Sequence, residues 1–302
     1  MLAFKHILFP TDFSPSSERA EAAAVGLASA FDAQLTLLHV WSVPNSGYAE
    51  GLSWPIDEME VAARKELVKA QERVVKLHPR TEAVLRTGRE WQNILDQIKE
   101  GGVDLVVMGT HGRHGLPRLV LGSVAEKVVR LSPVPVMTLR APDDEHDPQA
   151  ARPPVVIPPQ NILVATDFSP AAETALDQAI ALAEKVGAQV HVLHSYQLPI
   201  IGFPDGVVIP DAEIASRIIG WAEKELAACV DRRKASSVKI TSILEQADPR
   251  EAVLTVAKRI SADLVVLGTH GRRGIARALI GSTAEGILRS SPVPVLTVHA
   301  AT

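Results

Sequence analysis

The chain has 302 residues, longer than one hydrophobic core usually organises, so its length points to two domains. At 46% apolar and 22% charged residues it has enough apolar material for cores and too little charge for a disordered chain. A formal charge of −4 argues against a general nucleic-acid binder, and a single cysteine, Cys229, excludes an intrachain disulfide.

From the N-terminus, the segment Met1 to Asp12 turns polar too early for the core of a signal peptide. No later stretch approaches the roughly 18 uninterrupted apolar residues of a membrane span. A soluble cytoplasmic protein without a membrane partner is the expectation. Residues 7–10 form an apolar run fit for a strand buried on both faces. Asp12, Phe13 and Ser14 then turn the chain, with Ser14 as N-cap and Pro15 as first residue of an alanine-rich helix over 15–31. A second strand over 35–40 leads into an apolar connection, 41–55, and a charged helix near 57–77. A third strand (82–86), a helix (91–100) stopped by Gly101-Gly102, a fourth strand (105–108), a helix (122–131) and a fifth strand (134–139) complete this half.

The second half repeats the first. Residues 6–15 recur at 161–170, with Asp12 matched by Asp167 at an offset of 155 positions. That offset exceeds the roughly 20–45 residues of a solenoid repeat, so a whole domain has been duplicated. Strands are expected near 161–165, 189–194, 239–245, 263–267 and 293–298. Strands alternating with helices imply βαβ units, and hence two α/β domains with parallel, doubly wound sheets. The expected boundaries are 1–141 for the first domain, 142–158 for an acidic, proline-rich linker and 159–302 for the second domain.

One glycine-spaced stretch occurs in both halves, each time after a strand and before a helix. It reads Gly-x2-Gly-x9-Gly-Ser at Gly109, Gly112, Gly122 and Ser123, and again at Gly268, Gly271, Gly281 and Ser282. Gly109 and Gly112 are expected to give the backbone positive φ and room for a ligand. Gly122-Ser123 opens a helix whose free N–H groups and dipole favour an anion. Arg113 and Arg272 place positive charge on the intervening loops. Neither a P-loop nor a dinucleotide fingerprint is present, and no Gly-x-Ser-x-Gly elbow suggests a hydrolase.

Ligands of open α/β sheets sit beyond the carboxyl ends of the strands, where the strand order reverses. The order itself does not follow from the residues. An order 3-2-1-4-5 would bring Asp12, after strand one, and Gly109, after strand four, to one crevice. Asp12 and Asp167 have two readings, as ligand contacts and as acceptors for the local turn. His191 and His194 lie three apart in a strand, a poor metal pair assigned to packing, and no metal site is expected. The loops 41–55 and 196–210 are apolar for connections; they read as covers for the following helices, or as a lid or a second apolar ligand site.

These motifs resemble the universal stress protein family, as two successive family domains covering nearly the whole chain. The resemblance implies a five-stranded parallel domain in the 3-2-1-4-5 order that dimerises through its last strand, so that one chain forms a pseudo-dimer through its fifth strands and two chains can associate further as a homodimer. It also implies ATP binding, with Mg²⁺ as the companion cation, for members carrying the glycine spacing. By position, Asp12 and Val40 would face the adenosine end, and Gly109, Gly112, Gly122, Ser123 and Val124 would hold ribose and phosphates. The second set is Asp167, Ser195, Gly268, Gly271, Gly281, Ser282 and Thr283. A nucleotide-dependent regulator in the stress response is the leading reading. An ATP-independent interaction module binding a protein or apolar ligand fits the same residues, as does a slow ATPase; fast hydrolysis is not indicated, since no general base is placed beside an attacking water.

Overall fold

The computed structural model describes residues 4–43, 55–110, 121–140, 157–198, 201–203, 206–208, 212–269 and 280–300. The chain divides into two compact units, Ala3–Pro158 and Pro159–Thr302.

The first unit runs β1 (His6–Pro10), α1 (Pro15–Phe31), β2 (Gln34–Trp41), α2 (Ile56–Val75), β3 (Thr81–Thr87), α3 (Glu90–Gly101), β4 (Leu105–Gly109), α4 (Ser123–Leu131) and β5 (Val136–Leu139). Its strands pair in parallel: β3 with β2, β2 with β1, β1 with β4 and β4 with β5. The order is therefore 3-2-1-4-5, and it reverses between β1 and β4. Central strands covered on both faces must be apolar throughout, and every residue of β1 is buried. Helix α1 lies over β1 and β4 with small residues, Ala20, Ala24 and Ala28, all fully buried, which lets helix and sheet approach closely.

Asp104 and its counterpart Asp263 directly precede β4 and the matching strand of the second unit, at the opposite edge of the sheet from Gly109 and Gly268. Asp104 Oδ2 accepts from the backbone N–H groups of Lys5 and His6 at 2.7 and 3.0 Å. Asp263 does the same for Gln160 and Asn161, at 2.9 Å each. This carboxylate aligns the starts of strands one and four; it has no part in the crevice.

The second unit repeats the scheme as β6 (Asn161–Ala165), α5 (Pro170–Val186), β7 (Gln189–Tyr196), α6 (Ala212–Asp231), β10 (Ile240–Gln246), α7 (Pro249–Arg259), β11 (Leu264–Gly268), α8 (Ser282–Ser290) and β12 (Val295–Val298). Its parallel pairings, β10-β7-β6-β11-β12, reproduce the same order. One element was not expected. Within the connection after β7, Ile201–Phe203 (β8) and Gly206–Val208 (β9) form an antiparallel hairpin. Most of the first unit's corresponding connection lies outside the described residues.

Two smaller differences have local causes. The fifth strands begin at Val136 and Val295, two residues later than expected, because Ser132 and Ser291 turn the chain first. Each hydroxyl donates to a carbonyl two residues on, Val134 at 2.7 Å and Val293 at 2.8 Å. At the other end of the first unit, Ile157 packs against α1. A Cβ on Gly26 would lie 2.5 Å from Ile157 Cγ2, which explains a glycine inside a helix where alanine is intrinsically better. The last residues of the expected linker thus pack on the first unit.

Candidate functional site

The crevice is assembled from the carboxyl ends of β1 and β4, and of β6 and β11. Pairing of Ile7 with Leu105 and Leu8 with Val106 makes β1 and β4 neighbours, so Asp12 and Gly109 emerge on one edge. Leu264 with Ile162 and Leu267 with Ala165 do the same for Asp167 and Gly268. This is the topological switch point, where open α/β sheets take their ligands.

On the strand-four side the ends of the glycine loop are pinned together. Gly122 N–H donates to Thr110 O at 2.8 Å, and Gly281 N–H to Thr269 O at 2.9 Å. Both threonines are buried, and Thr269 Oγ1 also bonds His299 Nδ1 at 2.9 Å. Helices α4 and α8 start immediately afterwards with Gly122 and Gly281 as N-caps, and neither start has a side-chain cap bond. Ser123, Ser282 and Thr283 stand at these helix starts, and Val124 follows Ser123 in α4, half-buried. Gly112, Arg113, Gly271, Arg272, His111 and His270 lie outside the described residues.

The two described glycines of the second loop are glycine for different reasons. Gly109 does not take the positive φ expected of it, as the last residue of an extended strand, and neither does its counterpart Gly268. A Cβ on Gly268 would stand 2.8 Å from the Ala171 carbonyl carbon and 3.0 Å from the Ala172 nitrogen, so it is glycine because the first turn of α5 packs on it. Gly281 has φ −61° and ψ 144°, angles open to any residue, and among the described residues a Cβ there would meet only Thr269 O at 3.5 Å. Neither its backbone angles nor its neighbours among the described residues require a glycine at 281. Among the described residues nothing else borders this position, which makes it a cradle that a side chain would fill. Gly122 has nearly the same angles, −59° and 142°.

On the strand-one side, a turn presents the aspartate. Asp12 Oδ1 accepts from Ser14 N at 3.1 Å, Ser14 Oγ at 2.7 Å and Ser17 Oγ at 2.6 Å; Asp167 Oδ1 accepts from Ser169 N at 3.0 Å. The turn-acceptor role is therefore real for both. Ser14 and Ser169 cap α1 and α5, each followed by proline, as expected. The residues after the aspartates, Phe13 and Phe168, take left-handed backbone angles, φ 60° and 63°. For a bulky residue this costs on the order of 1–3 kcal/mol. Each phenylalanine is held by its N–H donating to a threonine hydroxyl, Thr11 or Thr166, at 3.0 Å. Each ring also packs on an imidazole: Phe13 on His39 with centroids 4.5 Å apart, Phe168 on His194 at 4.3 Å.

The sequence alone puts His39 and His194 at the end of strand two and carries no sign of this ring contact. Val40 and Ser195 follow them, both half-buried, on the strand that pairs with β1 or β6. His191 is separate from the site, its Nδ1 bonded to Thr241 Oγ1 at 2.7 Å, which agrees with a packing role. Among the described residues no group of three or more His, Cys, Asp or Glu could hold a metal ion. No described helix is long and apolar enough to cross a membrane.

The doubly wound sheet, present twice with an aspartate turn and an uncapped helix start at each switch point, defines a tandem α/β domain protein. The universal stress protein family matches the chain twice, over residues 3–140 and 159–299. A universal stress protein of Mycolicibacterium smegmatis is 30% identical over 313 residues, covering 97% of this chain and 96% of that protein. The universal stress protein YxiE of Bacillus subtilis is 35% identical over 147 residues, 45% of this chain but 99% of its own length. Among solved structures, a universal stress protein from Archaeoglobus fulgidus superposes with a TM-score of 0.71 at 23% identity, covering 98% of this chain and 96% of that one. A Pseudomonas aeruginosa structure described as a putative universal stress protein gives 0.64 at 18% identity, with 98% and 94% coverage. The chain belongs to the universal stress protein family, as two tandem domains.

Proposed function

We propose that the chain is a nucleotide-binding regulator whose two switch-point crevices each hold ATP with Mg²⁺, and whose occupancy biases partner choice in a stress response. The observation that carries this reading is Gly281: a glycine that neither its backbone angles nor its neighbours among the described residues require, at the start of a helix with no side-chain cap bond. Backbone N–H groups, helix dipole and the adjacent serine hydroxyl together suit a phosphate.

In the first unit the holding residues would be Asp12, Val40, Gly109, Gly112, Arg113, Gly122, Ser123 and Val124. In the second they would be Asp167, Ser195, Gly268, Gly271, Arg272, Gly281, Ser282 and Thr283. ATP would bring its own charge for these groups to bind. The protein's part is to orient it between the aspartate turn and the helix start. Turnover, if any, would be slow. Pairing through the fifth strands β5 and β12, within a chain or between two, belongs to the same proposal. Each ends the strand order of its own unit and would leave an open edge in isolation; sedimentation of the intact chain tests the assembly.

Isothermal titration with ATP and Mg²⁺ tests binding. No heat and no rise in melting temperature at millimolar nucleotide would sink the reading. The paired variant Gly122→Val with Gly281→Val should abolish binding at both sites while leaving the fold intact.

A further inference from the structure

We propose that His39 and His194 are positioning residues of the two sites, each locking the turn that carries the site aspartate. The inference rests on the nucleotide reading above. His39 Nδ1 lies 2.8 Å from the carbonyl oxygen of Thr11, and His194 Nδ1 lies 2.8 Å from that of Thr166. A carbonyl only accepts, so Nδ1 carries the proton and donates in both cases. Both imidazoles are buried, as are the two threonines.

Each histidine therefore grips the residue on either side of the aspartate. It reaches Thr11 or Thr166 by a hydrogen bond and Phe13 or Phe168 by ring contact. The phenylalanine's left-handed backbone is a conformation that persists only where its surroundings over-determine it. Between the two fixed points, Asp12 or Asp167 has little freedom to shift along the crevice edge. An apolar ring could supply the packing, but it would withdraw this donor from a buried carbonyl.

The internal duplication separates this arrangement from its background. The two copies differ close by, with Ser17 against Ala172, Val40 against Ser195 and Trp41 against Tyr196. The histidine, threonine and phenylalanine geometry is nevertheless the same to within 0.2 Å between ring centroids and shows no difference in the hydrogen-bond length. The same three residues, with the aspartate among them, make these contacts in both units, although in the second Trp221 also packs edge-on against Phe168 and His194.

The test compares two paired variants of the intact chain, His39→Phe with His194→Phe and His39→Asn with His194→Asn. Titration with ATP and Mg²⁺ is read beside thermal melting. Phenylalanine keeps the ring contact and loses the donor; asparagine restores an N–H near the Nδ1 position and loses the ring. Positioning predicts that the phenylalanine pair binds about tenfold more weakly than wild type, a change of about 1.4 kcal/mol. The asparagine pair should recover much of that loss although it melts lower than the phenylalanine pair. Affinity and stability thus run in opposite orders, which a purely structural role would not produce. If one pair fails to fold, the other decides against wild type: wild-type affinity in the phenylalanine pair, or a full loss in a folded asparagine pair, overturns the inference. Failure of the wild-type chain to bind ATP overturns the nucleotide reading and the positioning role with it. Wild-type binding with unchanged variants overturns the positioning role alone.

Discussion

The backbone N–H of Gly281 donates to the carbonyl oxygen of Thr269 at 2.9 Å, and among the described residues a Cβ built on Gly281 would find no atom nearer than that same oxygen, at 3.5 Å. Gly268, at the end of the strand that leads into the same loop, would drive its Cβ to 2.8 Å from the backbone of Ala171. The two glycines of one motif should therefore separate by experiment. Gly281→Ala is expected to leave stability unchanged or raise it by about 0.4–1 kcal/mol, since it restricts the unfolded chain without straining the folded one. It should weaken nucleotide binding at the second site. Gly268→Ala is expected to cost about 1–3 kcal/mol, because helix backbone, rather than a flexible side chain, must give way. Denaturant melts and titrations of both variants check this; equal destabilisation by the two would remove the argument for the cradle.

Ser17 marks a difference between the two aspartate turns. Its hydroxyl donates to Asp12 Oδ1 at 2.6 Å from a buried position, and the second unit has Ala172 in its place. Ser17→Ala should cost about 0.5–1.5 kcal/mol, the net value of one hydrogen bond. The turn itself should survive on the Ser14 contacts to the same oxygen. Chemical denaturation of the single variant measures the cost, and a loss beyond about 3 kcal/mol would mean that Ser17 holds more of the turn than this contact explains.

Much of the crevice was legible because its parts announce themselves locally. Ser14-Pro15 fixes the start of α1 at the expected residue, and the duplicated glycine spacing marks both strand-four ends. What stayed hidden depends on contacts between distant residues. Phenylalanine carries no signal for a left-handed φ, and the clasp of His39 on Phe13 joins residues that a whole helix separates in the chain. Strands of three residues, such as β8 and β9, are too short for alternation to register, and their segment reads as an apolar loop. Gly268 was legible as a constrained glycine but not for its true reason, the approach of α5, which only the packed structure displays.

Cys229 is buried in α6, and its thiol is pushed up to about 11 from 9.0, first by burial and next by the neighbouring Glu173 carboxylate. A rise of that size reduces the thiolate fraction about a hundredfold at neutral pH, before access is considered. Iodoacetamide at about pH 8 should leave the native protein unmodified and label it fully in denaturant, as mass spectrometry would show. Because the native thiol ionises later than the unfolded one, this group also removes stability as pH rises from about 9 toward 11. Rapid labelling of the native protein would contradict the burial.

His191 supplies the acid-side counterpart. Burial, and then the charge of Lys239, hold its imidazole below the usual histidine value; Nδ1 bonds Thr241 Oγ1 while the buried Nε2 has no partner. In the first unit the matching place is Thr36, and the imidazole sits instead on β1, where His6 Nε2 meets Thr36 Oγ1 at 2.7 Å. The native state therefore keeps His191 neutral over a range in which the unfolded chain takes up a proton. The sign follows from linkage: stability is complete above the unfolded value near 6.5 and declines as pH falls through the depressed native one. Melting of the second unit should fall between about pH 7 and pH 5 by more in the wild type than in His191→Gln, which keeps a hydrogen-bonding side chain but cannot titrate. Parallel pH profiles for the two proteins would show that His191 is not the group responsible.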